Sequence, residues 1–102
     1  MTTINFYIGC NDKDTHTQEM KLFEIEEIII DTFSLFYDSF SIAHIQGVYK
    51  KVFEHTIKVT LIQDEINELD DSNFNDIVTT LKYILNQECI MVEYLASYNQ
   101  LV

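Results

Sequence analysis

The chain has 102 residues, 17 of them Asp or Glu against 6 basic side chains, all lysine, for a formal net charge of −11. Such a surface repels phosphate backbones and acidic membranes, which excludes direct nucleic-acid binding. No apolar run approaches the roughly 18 residues of a membrane span. With 47% hydrophobic residues, two glycines and no proline, residues 1–102 read as one globular domain without linker, repeat or low-complexity segment.

Ile4, Phe6 and Ile8 alternate with Asn5 and Tyr7, a period of two that predicts a half-buried strand ended by Gly9. The polar segment Asn11 to His16 is turn-prone. Thr15 or Thr17 is the expected cap of a first helix over residues 18–36. Leu22, Ile25, Ile29, Phe33 and Phe36, widened by Ile28, form its apolar face. On the other face Glu24, Glu27, Asp31, Ser34 and Asp38 recur at steps of three and four and make an acidic stripe.

Residues 41–49 predict a second strand with a bulge or bend at Gly47. Its inward face stays open: Phe40, Ile42 and Val48 favour one parity, Ala43, Ile45 and Tyr49 the other. Lys50 to His55 connects to a third strand over 56–63, with Ile57, Val59 and Leu61 inward. Asp64, Glu65, Glu68, Asp70 and Asp71 make an acidic loop, after which Ser72 or Asn73 caps a second helix. Phe74, Ile77, Val78, Leu81, Ile84 and Leu85 carry its helical period, Asn86 and Gln87 end it, and residues 89–95 form the last strand.

The order βαββαβ predicts an α+β, ferredoxin-like fold: a four-stranded antiparallel sheet in order 4-1-3-2 with both helices on one face. This order brings Cys10 and Cys89 to one edge as neighbours, where reduced, packed thiols are expected for a cytosolic chain. The start of the chain shows no basic segment leading into an apolar one, so no signal peptide is expected.

Chemistry-bearing patterns are few. His16, His44 and His55 lack metal-clip spacing, no Cys-x-x-Cys occurs, and Asp12-Lys13-Asp14 lacks the Gly and distal Glu of a calcium loop; no metal or cofactor is expected. The loop Asn11 to Thr15 joins the first strand to the N-terminus of the first helix, whose free N–H groups can bind an anion with help from Lys13 and hindrance from Asp12 and Asp14, although a self-satisfied turn is the simpler reading. The sheet face away from the helices should expose Tyr7, Ala43 or Ile42, Ile45 or His44, Thr60, Ile62, Met91 and Leu95, a surface for a homodimer or a small molecule. Glu93 should lie there beside Tyr7 and Lys58, and burial would raise its pKa into the range of a general base.

The sharper expectation concerns the acids. Carboxylates about 5–6 Å apart along a helix imitate a row of phosphates. Glu24, Glu27, Asp31 and Asp38, supported by Asp64, Glu65, Glu68, Asp70 and Asp71, therefore suggest a non-enzymatic protein that binds the basic surface of a nucleic-acid-binding protein.

The segments Phe6-Tyr7-Ile8-Gly9, Asn11-Asp12-Lys13-Asp14-Thr15 and Gln18-Glu19 resemble the start of small proteins from phages, plasmids and integrative elements of low-GC Gram-positive bacteria. There is also a distant resemblance to a bacterial family with a Tyr-x-Gly first strand. Neither group has an established activity. A mobile-element origin implies the cytoplasm of a bacterial host, where small acidic inhibitors of CRISPR or restriction nucleases are common, and so favours the DNA-mimic reading over a dimeric ligand-binding or enzymatic one.

Overall fold

The computed structural model describes residues 2–63 and 71–96. Six elements follow in the expected order: β1 (Thr2–Gly9), α1 (Leu22–Ser34), β2 (Ser41–Tyr49), β3 (Val52–Gln63), α2 (Asp71–Ile84) and β4 (Met91–Ala96). The strands form one sheet, β2-β3-β1-β4, with every neighbouring pair antiparallel. Read from the other edge this is 4-1-3-2, the ferredoxin-like order.

The pleat separates the two faces. Ile4, Phe6 and Ile8 of β1 lie opposite Leu61, Val59 and Ile57 of β3, and all six are fully buried. Ile25, Ile29 and Phe33 of α1 and Phe74, Ile77 and Leu81 of α2 close over them in one core. Phe6 sits at its centre, edge-on to Phe33 at 5.0 Å and to Phe74 at 5.5 Å between ring centroids. Each such pair adds about 0.5–1.5 kcal/mol beyond the area it buries.

The register settles the parity of β2. Ile42 pairs with the buried Val59 and so faces the helices, as does His44, whose Nε2 lies 2.9 Å from Oε1 of Glu26 on α1. Ala43 and Ile45 therefore face the other way. No bulge forms at Gly47: pairing runs unbroken from Ser41↔Thr60 to Tyr49↔Val52. The connection is much tighter than expected, a two-residue turn at Lys50 and Lys51 with φ of 50° and 65°. Positive φ at both central residues is the twist a two-residue hairpin needs, here adopted without glycine. β3 consequently starts at Val52.

α1 is shorter than its apolar period, whereas α2 starts earlier than expected. α1 starts at Leu22 because the hydroxyls of Thr15 and Thr17 both donate to Oε1 of Glu19, at 2.6 Å each, and close a loop in place of capping a helix. The N-cap position falls to Lys21, which makes no side-chain cap. α2 begins at Asp71, ahead of the expected cap, and ends at Ile84. Its stop is a Schellman turn: Asn86 has φ 48°, Gln87 N–H donates to the Lys82 carbonyl at 2.9 Å, and Asn86 N–H to that of Tyr83 at 3.4 Å. β4 accordingly starts at Met91, and Cys89 belongs to the preceding loop. Among the described residues no helix is long and apolar enough to cross a membrane.

Candidate functional site

Among the described residues no helix or loop covers the face of the sheet away from the helices. Along β1 it presents Thr3, Asn5, Tyr7 and Gly9; β3 adds Thr56, Lys58 and Thr60, and β4 adds Met91, Glu93 and Leu95. At the Gly9 end the β2–β3 hairpin runs on past β1, whose last pair is Gly9↔Thr56. The overhang makes one wall of a cleft of ≈ 490 Å³. Tyr7, Gly9, Thr56 and Met91 line its floor, Lys50, Val52 and Glu54 the hairpin side, and Asn11 to Lys13, His16 and Gln87 to Cys89 the loop side.

The loop wall is fixed by hydrogen bonds. Oδ1 of Asp12 accepts from the N–H groups of Asp14 at 2.8 Å and Thr15 at 3.1 Å, so the turn satisfies itself. The Asn86 side-chain amide donates to Oδ2 of Asp12 and of Asp14, both at 2.9 Å, and the Lys13 N–H donates to the Asn86 carbonyl at 3.0 Å. The Gln87 amide donates to the Asn11 carbonyl. The Asn86 amide is also the main reason the Asp12 carboxyl is held below its usual range, with the two backbone N–H groups next. The anion site considered for this loop does not form, because the loop does not lead directly into α1 and its acceptor is Asp12 itself.

Glu54 reaches the cleft across a glycine. Its Oε2 accepts the Asn11 N–H at 3.0 Å, and a Cβ at Gly9 would lie 2.6 Å from its Oε1. Only glycine lets the carboxylate lie over the strand in this way.

Beyond Tyr7, away from Gly9, the open face carries a chain of polar contacts. The Tyr7 hydroxyl and the Asn5 side-chain amide each donate to Oε1 of Glu93 at 3.0 Å, and the Thr60 hydroxyl donates to Oδ1 of Asn5 at 2.8 Å. Lys58 Nζ stands 5.7 Å from the centre of the Tyr7 ring. Glu93 thus lies where the sequence placed it, but its pKa is lowered, not raised. The Asn5 hydrogen bond is the largest cause and that of Tyr7 the next; together they outweigh desolvation, and Lys58 adds the smallest contribution in the same downward direction. The Tyr7 phenol is correspondingly raised, chiefly by its bond to Glu93.

Both cysteines are free thiols, the reduced state expected of them. Cys10 is buried in the core on the helix side, and burial, helped by the Glu54 charge, pushes its thiol up to about 11. Cys89 is exposed on the wall of the cleft. Of the acidic stripe, Glu27, Asp31 and Asp38 are exposed and Glu24 is half-buried. Asp64, Glu65, Glu68 and Asp70 lie outside the described residues, and Asp71 opens α2. Sequence reasoning missed Glu54 and Asn86, whose roles depend on a close approach at Gly9 and on a left-handed helix end.

No family model and no curated protein matches the chain. Solved structures share its fold. A phage SAM lyase in its apo state superposes with a TM-score of 0.63 at 20% identity, over 92% of this chain and 78% of that one. The phage SAM lyase in complex with S-methyl-5′-thioadenosine gives 0.60 at 18% identity, over 92% and 79%. A DUF3240 family protein from Shewanella baltica gives 0.57 at 14% identity, over 99% and 94%. These likenesses are of fold.

Proposed function

We propose that the chain binds a small cationic nucleoside on the open face of its sheet, with S-adenosylmethionine as the ligand and, by analogy with the phage lyase of the same fold, as the substrate. The observation that carries this reading is the cleft around Tyr7. Its ≈ 490 Å³ falls in the range of about 300–1,000 Å³ of small-molecule sites. Tyr7 and Met91 offer an aromatic and a soft apolar surface to a purine or thioether. Two carboxylates flank Tyr7 along the sheet, Glu54 over Gly9 and Glu93 beside Asn5. A sulfonium carries a fixed positive charge, which a chain of net charge −11 attracts.

In lyase chemistry the carbon–sulfur bond to the amino-acid side chain breaks and its electron pair stays on sulfur, leaving neutral methylthioadenosine. The carbon fragment is completed without water, by losing a proton to a base or by closure of its own carboxylate. The test is incubation with S-adenosylmethionine, followed by chromatography for methylthioadenosine and by calorimetry. Matched loss of substrate and gain of methylthioadenosine, abolished by Glu54→Gln or Tyr7→Phe, is expected. Intact substrate with no heat of binding overturns the reading.

A second reading is favoured by the exposure of Glu27, Asp31 and Asp38 along and beyond α1. On it the acidic stripe docks the basic surface of a nucleic-acid-binding protein in a bacterial cytoplasm, as an inhibitor of anti-CRISPR or anti-restriction type. Such binding weakens steeply with salt. A partner still held in high salt, or held equally after Glu27→Lys and Asp31→Lys, removes this reading.

A further inference from the structure

Asn5 is only 3% exposed although it lies on the side of β1 away from the helices. Packing alone does not call for an amide there. Its two ends are both used: the amide nitrogen donates to Glu93 Oε1 at 3.0 Å, and the carbonyl oxygen accepts from the Thr60 hydroxyl at 2.8 Å. An ionised carboxylate only accepts, and a side-chain amide has donors at one end and an acceptor at the other. The acceptor-only carboxylate therefore fixes which end of Asn5 faces Glu93, and the Thr60 hydroxyl anchors the other end. The reversed amide would set oxygen against oxygen.

On the reading that the open face binds the ligand, we infer that Asn5 and Thr60 are positioning residues for Glu93. They hold its carboxylate against the hydroxyl of Tyr7, which lines the cleft, so that a cationic ligand reaching past Tyr7 meets an acceptor already oriented. Three strands share the device: β1 supplies Asn5 and Tyr7, β3 supplies Thr60 and Lys58, and β4 supplies Glu93. The groups that face Glu93 are thus Tyr7, Asn5 and Lys58. Pre-set orientation removes an ordering cost that binding would otherwise bear. A Thr–Asn contact that only tied β3 to β1 would affect stability and leave the titration of Glu93 where it was.

The test uses the ligand-free protein. The side-chain carboxyl of Glu93, labelled with carbon-13 and assigned with Glu93→Gln, is titrated by NMR in wild type, Thr60→Val and Thr60→Ser. Valine keeps the shape and strand preference of threonine without the hydroxyl. The expected result is a higher Glu93 midpoint in Thr60→Val and its return in Thr60→Ser. An unchanged midpoint in Thr60→Val overturns the inference. Should that variant not fold, Asn5→Ser, whose side chain is too short to reach Glu93, gives the same reading. In the same samples Thr60→Val should weaken S-adenosylmethionine about five-fold, the share of one charged hydrogen bond loosened at a half-open site, and weaken the uncharged thioether analogue less. A wild type that binds no S-adenosylmethionine removes the functional reading, while the ligand-free titration still decides the positioning.

Discussion

Gly9 shows how a single residue shapes this surface. A methyl group there would lie 2.6 Å from Glu54 Oε1, but the obstacle is the tip of a flexible side chain. Gly9→Ala should therefore leave stability within about 1 kcal/mol and displace the carboxylate, with loss of the Asn11 contact. Calorimetry with S-adenosylmethionine, the ligand proposed above, should then show roughly tenfold weaker binding, a loss of about 1.4 kcal/mol. The cysteines give a second contrast. Iodoacetamide on the native protein should label the exposed Cys89 and leave the buried Cys10 intact, as peptide mass spectrometry will read. The folded pKa of Cys10, about 11, lies above its ordinary 9.0. Its contribution to stability is thus whole below pH 9 and is lost as pH rises toward 11. The sequence shows that Glu93, Tyr7 and Lys58 share a face, because period-two alternation fixes sides. It does not show the sign of the Glu93 shift, which depends on Asn5 as a donor on the next strand.

At the level of elements, apolar periodicity locates β1, β3 and both helices because each has one wet and one dry face, whereas the edge strand β2 buries no residue fully and leaves its parity open. Their ends follow other rules. Thr15 and Thr17 have the right chemistry for a cap but spend it on Glu19, and Lys50-Lys51 makes a tight turn without the glycine that usually announces one. The end of α2 joins these local rules to the site, since Asn86 both takes the left-handed conformation and ties the Asp12 loop to the α2–β4 loop. Asn86→Gly keeps the backbone and removes the amide. It should cost about 1 kcal/mol in chemical denaturation and loosen the cleft wall, seen as faster hydrogen exchange at Asp14 and Thr15. Asn86→Ala, which also strains the helix end, should cost more. If the two variants prove equally stable, backbone conformation is not what asparagine supplies here.

For the whole molecule the dominant fact is charge. A net −11 on 102 residues opposes compaction by self-repulsion. Raising sodium chloride from about 0.05 to 0.5 M shortens the screening length, and thermal melting should shift upward by several degrees. A melting temperature that falls or stays level would mean that the charges are mutually compensated. Sheet order was legible because right-handed crossovers leave few alternatives for βαββαβ, whereas the cleft arises from unequal strand lengths that composition does not encode. The pairing of Thr2 with both Gln63 and Ala96 places the start of β1 and the finish of β4 side by side, at the opposite end of the sheet from Gly9. Seven residues of strand, about 23 Å, separate that corner from the cleft floor. Those two strand ends therefore stand clear of the cleft floor, a full strand length away from it.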